Sequence, residues 1–319
     1  MKETLNLNSI LAPIQTELQL VETRLRAAVH VDYAPLGDVF ESLIESGGKR
    51  IRPALAILAT KFGPADPDKA STLAITVELV HAATLIHDDL IDKSPVRRGS
   101  PTINSRWSGT ATVLAGDYLL ARAADIAANI DDFRVMHIFA RTLMAICEGE
   151  IRQDFGGMHW PPTRAEYYRH IDSKTGSLFV ASTEGGAVLA GLAETEIGAL
   201  ETYGRNLGRA FQIVDDILDF TSDAQQLGKP VGSDLRQGTY TLPVFYFMEQ
   251  DARGVNIPEQ MNAMDDLVDT IRRSPAIDAS KAEARATVQD AQNALAIFPD
   301  SQYRRALIDL ASYVVERTL

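Results

Sequence analysis

Two short aspartate motifs are the strongest chemical signal in this sequence. Both have the pattern Asp-Asp-x-x-Asp and both end a long apolar segment. Side chains three or four residues apart share a helix face, so each motif forms an acidic stripe, extended by His81 on one helix and by Gln212 on the other. Carboxylates in so apolar a setting need a counter-charge, and Mg²⁺ typically binds a few carboxylates together with water and substrate phosphates. The candidate metal ligands are Asp88, Asp89, Asp92, Asp215, Asp216 and Asp219.

A third copy of this pattern shows that the pattern alone is a weak signal. Asp265, Asp266 and Asp269 follow a polar flank, and no lysine beside a glycine accompanies them. Charge runs of this kind usually lie on a solvated helix surface. We therefore predict an ordinary surface helix here, and the indication of function must come from the surroundings of the other two motifs.

Basic residues, several of them beside glycines, surround those two motifs. Gly47 and Gly48 precede three cations just ahead of Pro53, which suits the first turn of a helix, where free backbone N–H groups and the helix dipole attract anions. Further cations follow each acidic motif and open another helix. Each is commonplace alone, but their order around two acidic helices indicates phosphate binding. The cations are Lys49, Arg50, Arg52, Arg97, Arg98, Lys174 and Lys229.

Long helices must position these groups. The sequence is rich in Ala and Leu and short of alternating β-branched runs, which favours helices over strands. Segment 74–91 is apolar on nearly all sides and should lie at the centre of the fold. No linker of biased composition divides the chain, so we predict one large all-α domain. The predicted helices span 9–28, 53–60, 70–92, 111–129, 134–151, 177–193, 195–220 and 241–249.

The composition excludes several classes of protein. The 319 residues are 45% hydrophobic, enough for a large core, and a formal net charge of −12 makes the chain a poor nucleic-acid binder. The single cysteine, Cys147, excludes an intrachain disulfide and is predicted to be a buried structural thiol. Neither a signal peptide nor an apolar run of roughly 18–20 residues is evident, so we expect a cytoplasmic protein, or a chloroplast one whose transit peptide is missing.

Together these motifs resemble those of the trans-isoprenyl diphosphate synthases, the polyprenyl synthetase family, and especially its long-chain all-trans members. The resemblance implies the isoprenoid synthase fold, a single large helical bundle around a deep central cavity over residues 1–319, usually as a homodimer. It also implies prenyl transfer, a head-to-tail (1'-4) condensation of isopentenyl diphosphate with an allylic diphosphate of the farnesyl or geranylgeranyl type. The matching motifs, in family order, are 47–53, 81–98, Lys174-Thr175, 211–219, and 228–234 with Thr241-Leu242-Pro243.

The resemblance assigns the aspartates to three Mg²⁺ ions. Two ions are expected on Asp88 and Asp92 and a third on Asp215 when substrate is bound, with the other aspartates of both motifs in support. The diphosphate that leaves needs its charge neutralised as it departs, which metal ions and fixed cations achieve. The other diphosphate stays attached, so direct contacts with Arg and Lys suffice for it.

The resemblance also implies the remaining site residues. The Lys174 carbonyl, Thr175 and Gln212 are the expected catalytic groups, because their dipoles would face the allylic carbocation. Thr239 stands where many relatives have a lysine, which removes one cation from the allylic site. The expected ligands of the allylic diphosphate are Arg97, Lys174 and Lys229, and those of isopentenyl diphosphate are Lys49, Arg52, His81 and Arg98.

Two small residues bear on product length. Ala83 and Thr84 stand five and four residues before Asp88, where farnesyl-forming relatives typically have aromatic side chains. An open cavity floor then implies a product of geranylgeranyl length or longer and favours a quinone side-chain precursor, with a geranylgeranyl diphosphate synthase as the alternative. Such a product should be delivered to a membrane, since each CH₂ costs about 0.8 kcal/mol to hydrate.

Two other functions fit the motifs less well. A class I terpene cyclase shares one aspartate-rich helix, but it is expected to carry an Asn/Ser/Glu-type second motif and has no need of the Gly-Gly-Lys-x-x-Arg segment. A non-catalytic prenyltransferase subunit usually loses its acidic motifs, and both are intact here. The expected partners are therefore the two diphosphate substrates and a second copy of this chain, and not nucleic acid.

Overall fold

The structure is a computed structural model that describes residues 6–45, 48–97, 99–155, 163–222, 230–250 and 264–316. Helices make up nearly all of its regular structure, which confirms the predicted all-α class. The α-helices, in chain order, are α1 (Leu7–Leu11), α2 (Gln15–Ala28), α3 (Ala34–Glu45), α4 (Ile51–Thr60), α5 (Pro67–Ile91), α6 (Gly109–Ala128), α7 (Phe133–Phe155), α8 (Arg164–Ile171), α9 (Ser177–Leu189), α10 (Glu194–Thr221), α11 (Ser233–Arg236), α12 (Leu242–Gln250), α13 (Met264–Arg273), α14 (Ala276–Ala294) and α15 (Gln302–Glu316).

Short irregular elements join these helices. A π-helix, Asp172–Gly176, connects α8 directly to α9. A two-stranded antiparallel hairpin follows α5, with β1 (Val96–Arg97) paired to β2 (Ser100–Pro101). The 3₁₀ turns are Ala12–Ile14, Ile103–Ser105 and Leu295–Ile297.

Helix α5 lies at the centre of the fold, as predicted. Asp66 caps its first turn by accepting a hydrogen bond from the Asp68 amide at 2.8 Å, and every residue from Ala70 to Val80 is buried. The helix packs against α2, α4, α6 and α9. Its length and apolar composition would allow it to cross a membrane, contrary to our expectation that no such segment is present. However, 78% of its most apolar 18-residue stretch is buried inside the protein. Its hydrophobicity is therefore that of a core helix.

Helix α10 is the second long helix of the site, and close packing brings the π-helix onto it. A Cβ atom at Gly208 would lie 2.8 Å from the Gly176 Cα, and one at Gly204 would lie 2.9 Å from the Phe179 carbonyl oxygen. Both glycines therefore let backbones meet where a side chain would separate them. The register of the π-helix against α10 follows from these contacts.

The helix predictions fail where tertiary packing determines whether a segment is helical and where the helix ends. Pro13 divides the predicted helix 9–28, because the chain forms a 3₁₀ turn there between α1 and α2. Helices α3, α8, α11, α14 and α15 were not predicted, since they are short or largely polar outside a narrow apolar stripe. Most of the stability of such helices comes from packing of that stripe on the core rather than from propensity.

Cys147 is exposed, so the prediction of a buried thiol is wrong. It lies on an outer stripe of α7 with Met144 and Ile151, which are 63% and 56% exposed.

Helix α6 also exposes large apolar side chains. We refer to these surfaces together as the α6–α7 face, which comprises Val113, Leu114, Tyr118, Phe133, Met144 and Ile151.

Candidate active site

The first aspartate motif ends α5 with two carboxylates outward and one inward. Asp88 is half-buried and Asp92 exposed, one helical turn apart, with the Asp92 amide donating to the Asp88 carbonyl at 2.8 Å. Asp89 is buried and accepts a hydrogen bond from Arg97 Nε at 2.7 Å. Burial raises the pKa of Asp88 to about 6, against the opposing charge of Lys174. The motif therefore presents two carboxylates for a cation and uses the third to hold the β hairpin.

The second motif, on α10, divides its carboxylates differently, with one exposed and two buried. Asp215 is exposed, whereas Asp216 and Asp219 are each only 2% exposed. The Asp219 carboxylate accepts a hydrogen bond from the Asp234 amide at 3.2 Å, and the Asp219 carbonyl accepts one from the Gly232 amide at 2.8 Å. Gly232 has a φ of +68°, a conformation that favours glycine. Asp219 thus anchors the segment that follows the motif.

Lys174 connects the π-helix to the first motif. Its Nζ lies 2.9 Å from Glu150 Oε1 on α7 and 4.0 Å from Asp88 Oδ1. Burial lowers the pKa of Lys174, but Asp88, Glu150 and Asp92 outweigh burial and raise it. The ammonium group therefore stays charged and close to the place where an anion would meet the first motif.

Thr175 and Gln212 meet across the junction of the π-helix and α10. The Thr175 hydroxyl donates to Gln212 Oε1 at 2.7 Å, and Gln212 Nε2 donates to Asp216 Oδ1 at 3.0 Å. Tyr167 donates to the other oxygen of Asp216 at 2.6 Å. Burial raises the pKa of Asp216 to about 7, and the bonds from Tyr167 and Gln212 oppose that rise. Both oxygens of Asp216 are thus occupied by protein donors.

A cavity of about 770 Å³ lies between the two motifs. Its wall includes Asp92 of the first motif and Asp216 of the second, so the two acidic helices contribute to one chamber. The three predicted catalytic residues, Lys174, Thr175 and Gln212, line it as well. Thr239, which stands in place of a lysine, also lines the chamber, as do the cations of Arg152 and Arg169.

Two of the predicted isopentenyl diphosphate ligands, Lys49 and Arg52, lie at the start of α4. Arg52 lies 5.0 Å from the centroid of the Phe179 ring, and its buried Nε has no hydrogen-bond partner among the described residues. Lys49 is exposed, with its Nζ 5.3 Å from the centroid of the Tyr313 ring. His81 is half-buried. An orphaned donor such as Arg52 Nε is costly to bury, which indicates that a ligand completes this site.

Two predicted ligands, Arg98 and Lys229, lie outside the described residues. Arg97 is described, and its Nε is bound to Asp89. The His87 side chain, beside the first motif, has its Nε2 3.2 Å from the Val113 carbonyl oxygen. The close approach of α6 there depends on Gly116, because a Cβ at that position would lie 2.2 Å from the His87 ring.

The carboxylates suit Mg²⁺ held jointly with a substrate. Within the described residues, no group of three or more His, Cys, Asp or Glu could by itself hold a metal ion. Mg²⁺ is commonly bound by one or two carboxylates plus water and substrate phosphates, which requires no closed protein cage. Asp88, Asp92 and Asp215 have accessible carboxylates that meet this requirement. The donor set therefore fits magnesium.

The third aspartate motif lies on the surface, as predicted. Asp265 and Asp269 on α13 have side chains 89% and 58% exposed, and they pair with Arg236 and Arg273. Leu267, Val268 and Ile271 form the buried face of the helix. This copy therefore shares the pattern without the chamber.

Ala83 and Thr84 occupy different environments on α5. Ala83 is fully buried, whereas Thr84 is half-buried and donates to the His81 carbonyl at 2.8 Å. Neither residue lines the large chamber. One turn earlier, Val80 begins the lining of a second, mainly apolar cavity of about 20 Å³ between α5, α6, α7 and α9. It extends to Leu73, two further turns toward the start of α5.

Three residues of the site were missed from the sequence. Glu150 pairs with Lys174, Tyr167 holds Asp216, and Glu78 pairs with Arg50 at 2.7 Å beside the predicted isopentenyl diphosphate site. Glu78 could have been recognised from the sequence, because an isolated acid inside the apolar segment of α5 needs a buried partner. Glu150 and Tyr167 lie in ordinary amphipathic helices, where nothing marks them.

An all-helical fold whose two aspartate helices and lysine-bearing π-helix surround one chamber defines a class of enzymes that act on diphosphates with the help of divalent metal. The sequence profile described as Polyprenyl synthetase matches residues 34–283. This chain therefore belongs to the polyprenyl synthetase family and is a prenyltransferase, which confirms the family and reaction class predicted from the motifs.

Three relatives illustrate the similarity, and each covers nearly the whole chain. Heptaprenyl diphosphate synthase component 2 of Geobacillus stearothermophilus is 38% identical, over 98% of this chain and 99% of its own. Octaprenyl diphosphate synthase of Haemophilus influenzae is 34% identical, over 99% and 98%. The crystal structure of a polyprenyl synthase from Caulobacter crescentus CB15, complexed with calcium and isoprenyl diphosphate, has a TM-score of 0.91 at 33% identity and covers 100% of both chains.

Proposed function

We propose that this chain is a Mg²⁺-dependent all-trans polyprenyl diphosphate synthase that adds isopentenyl diphosphate to an allylic diphosphate of the farnesyl or geranylgeranyl type. The observation that carries the proposal is the single chamber lined by Asp92, Asp216 and Lys174, which brings both acidic motifs and a charged ammonium group to one ligand. The calcium and isoprenyl diphosphate bound by the Caulobacter relative support a metal-assisted diphosphate site.

Each part of the site has a distinct task in this reaction. Bound Mg²⁺ would neutralise the negative charge that grows on the allylic diphosphate as its C–O bond breaks. Lys174, fixed between Glu150 and Asp88, supplies a positive charge that needs no rearrangement at that moment. The Thr175 hydroxyl oxygen, the Gln212 amide and the Lys174 carbonyl offer dipoles to the allylic cation.

The second substrate reacts at its double bond and keeps its diphosphate. Arg52 and Lys49 are the described cations placed to bind that diphosphate, together with His81. The π electrons of isopentenyl diphosphate form the new bond to C1 of the allylic cation, and the departing pyrophosphate takes the proton that restores a double bond. Acid–base work by a side chain is not needed in this scheme.

A long product is favoured over geranylgeranyl diphosphate. Ala83 and Thr84 leave the helix face ahead of the first motif without aromatic side chains. The relatives named heptaprenyl and octaprenyl diphosphate synthases also favour a product of this class, suited to a quinone side chain.

A homodimer is the assembly that the surface supports best. The α6–α7 face exposes six large apolar side chains, and burying them against a second copy would remove this apolar surface from water. We further propose a cytoplasmic location, in which the chain hands its hydrophobic product to a membrane. The reluctance of a long hydrocarbon to enter water supports that delivery.

Product analysis tests this function directly. The purified chain is incubated with Mg²⁺, labelled isopentenyl diphosphate and farnesyl diphosphate, and the products are sized by chromatography. We expect a ladder that ends beyond the geranylgeranyl length and that disappears when EDTA removes the metal. A cyclised hydrocarbon as the product would overturn the proposal in favour of a terpene cyclase.

A further inference from the structure

Four residues form a continuous chain of hydrogen bonds along the chamber wall. Tyr167 on α8 donates to Asp216 Oδ2 at 2.6 Å, Gln212 Nε2 donates to Asp216 Oδ1 at 3.0 Å, and Thr175 Oγ1 donates to Gln212 Oε1 at 2.7 Å. All four side chains line the same chamber. Three separate elements, α8, the π-helix and α10, are thus tied together at the place where the catalytic dipoles lie.

The chemistry of the groups sets the direction of every bond in this chain. Asp216 accepts from Tyr167 on one oxygen and from Gln212 on the other, which is the arrangement that a carboxylate, as an acceptor on both oxygens, requires. That requirement fixes the Gln212 amide with its NH₂ toward Asp216 and its carbonyl toward Thr175, since the flipped amide would place two oxygens in contact. The Thr175 hydrogen then points at Gln212, which leaves the lone pairs of its oxygen available to the chamber.

Burial makes this arrangement rigid. Tyr167 is 7% exposed and Asp216 2% exposed. In such a setting hydrogen bonds to a charged group are stronger than in water, and an unpaired buried group is costly. Burial and the adjacent Asp216 charge raise the pKa of Tyr167 well above its usual value, so its hydroxyl remains a donor. With Asp216 in its carboxylate form, the network has one orientation that satisfies every donor and acceptor.

We propose that Tyr167 is a positioning residue for the allylic-cation subsite, acting through Asp216 and Gln212 to direct the oxygen lone pairs of Thr175 toward the reacting carbon. This inference rests on the proposed prenyl transfer. It changes the expected role of Asp216, whose oxygens orient Gln212 rather than bind metal. It also predicts that the network contributes to the transition state and not to substrate affinity.

Tyr167→Phe tests the role, because it removes the donor and keeps the buried ring. We expect kcat to fall about 10- to 100-fold while the KM of each diphosphate changes less than about threefold. The affinity for Mg²⁺ with an unreactive allylic thiolodiphosphate, measured by calorimetry, should also stay within about threefold. Tyr168→Phe is the matched control, because Tyr168 donates to Glu283 instead of Asp216, and its kcat should remain within twofold of the wild-type value.

A second variant separates orientation from charge and from folding. Exchanging the two partners in the double variant Gln212→Glu with Asp216→Asn keeps an acceptor opposite Thr175 and an acceptor opposite Tyr167. We expect this double variant to recover at least tenfold in kcat over Gln212→Glu alone. Thermal unfolding of each variant establishes that the compared proteins are folded.

The results distinguish failure of the proposed prenyl transfer from failure of the positioning role of Tyr167. If the wild-type chain shows no prenyl transfer, the proposed function is wrong and the role of Tyr167 falls with it. If the wild type is active and folded Tyr167→Phe keeps its kcat within twofold, only the positioning role is overturned. A change of tenfold or more in Mg²⁺ affinity would also overturn the positioning role, by showing that Asp216 acts as a metal ligand. No recovery in the exchanged pair would overturn it as well, by showing that the orientation of Gln212 is not what supports turnover.

Discussion

Arg50 donates from Nη1 to the Glu78 carboxylate at 2.7 Å, which ties the loop of the predicted isopentenyl diphosphate site to the middle of the central helix α5. Arg50 also donates from Nε to Glu22 at 3.0 Å and from Nη2 to the Ile44 carbonyl at 2.9 Å. Its φ of +48° is unusual for a residue with a side chain. These bonds hold a strained backbone between Lys49, which is exposed, and Arg52, whose Nε is buried beside the Phe179 ring.

Arg50→Ala should destabilise the protein by about 3 kcal/mol, because it leaves the buried Glu78 carboxylate without its partner. Urea unfolding measures the loss. Arg273→Ala is the control, since its pair with Asp269 is 80% and 58% exposed and should contribute less than about 1 kcal/mol. Equal effects of the two changes would show that the Arg50 cluster does not anchor the loop.

Asp88→Ala and Asp215→Ala should each lower kcat by at least about 100-fold, because each removes a carboxylate expected to hold Mg²⁺ against the departing diphosphate. Asp265→Ala is the matched control from the third motif, which lies on the surface of α13, and it should leave turnover unchanged. Initial rates with both diphosphates, together with circular dichroism for helix content, provide the measurement. Near-normal rates for either first variant would refute the metal assignment.

Thr84→Phe should shorten the product, because an aromatic side chain on the helix face ahead of the first motif would obstruct the hydrocarbon path. Thr84 is the better site for this change, since Ala83 is fully buried and a larger side chain there would overpack the core. Chromatography of the products gives the chain length. Thr202→Phe makes the same substitution on the exposed surface of α10 and should leave the product unchanged. An unaltered length in Thr84→Phe would place the path elsewhere.

The metal-free protein should lose stability as the pH rises. Burial raises the pKa of Asp88 to about 6, whereas an unfolded Asp titrates near about pH 3.9. Between these values the folded state binds more protons than the unfolded state, so this contribution to stability is fully present below about pH 4 and is lost as the pH rises through 6.

Melting temperatures in EDTA provide the measurement of that pH dependence. At pH 8 Asp88→Asn should melt at least about 2 °C above the wild type, and at pH 5 the difference should shrink. Asp265→Asn, on the exposed helix α13, should follow the wild type at both values. A constant difference between pH 5 and pH 8 would contradict the raised pKa.

Leu114→Glu combined with Met144→Glu should dissociate the proposed homodimer, because charges would then occupy the α6–α7 face. Sedimentation of the wild type should give a dimer and that of the variant a monomer. Leu20→Glu, on α2 at 45% exposure, is the control and should leave the dimer intact. An inactive wild-type monomer would instead indicate a second subunit, as the name component 2 suggests for the Geobacillus relative.

Local patterns were sufficient for the family, the helical class and the positions of both aspartate motifs. The spacing of residues predicts which side chains share a helix face, and an apolar surrounding indicates that carboxylates there need a partner. The same reasoning separated the surface copy at Asp265 from the motifs at Asp88 and Asp215. This reasoning cannot predict packing contacts between distant segments, which is why Cys147 was wrongly predicted to be buried and α8 was not predicted.

The sequence by itself determined which chemical groups are available to this protein. These are two sets of carboxylates, several cations near them in the sequence, and small residues where farnesyl-forming relatives have aromatic ones. Only the tertiary structure decided which carboxylates are accessible and which are buried. Asp88 and Asp215 have accessible carboxylates, whereas Asp216 turns inward to Tyr167, a residue 49 positions away in the chain. Periodicity is a property of one helix, but the partner of a side chain depends on which other helix packs against it, and that follows from the close approach of α9 and the π-helix to α10.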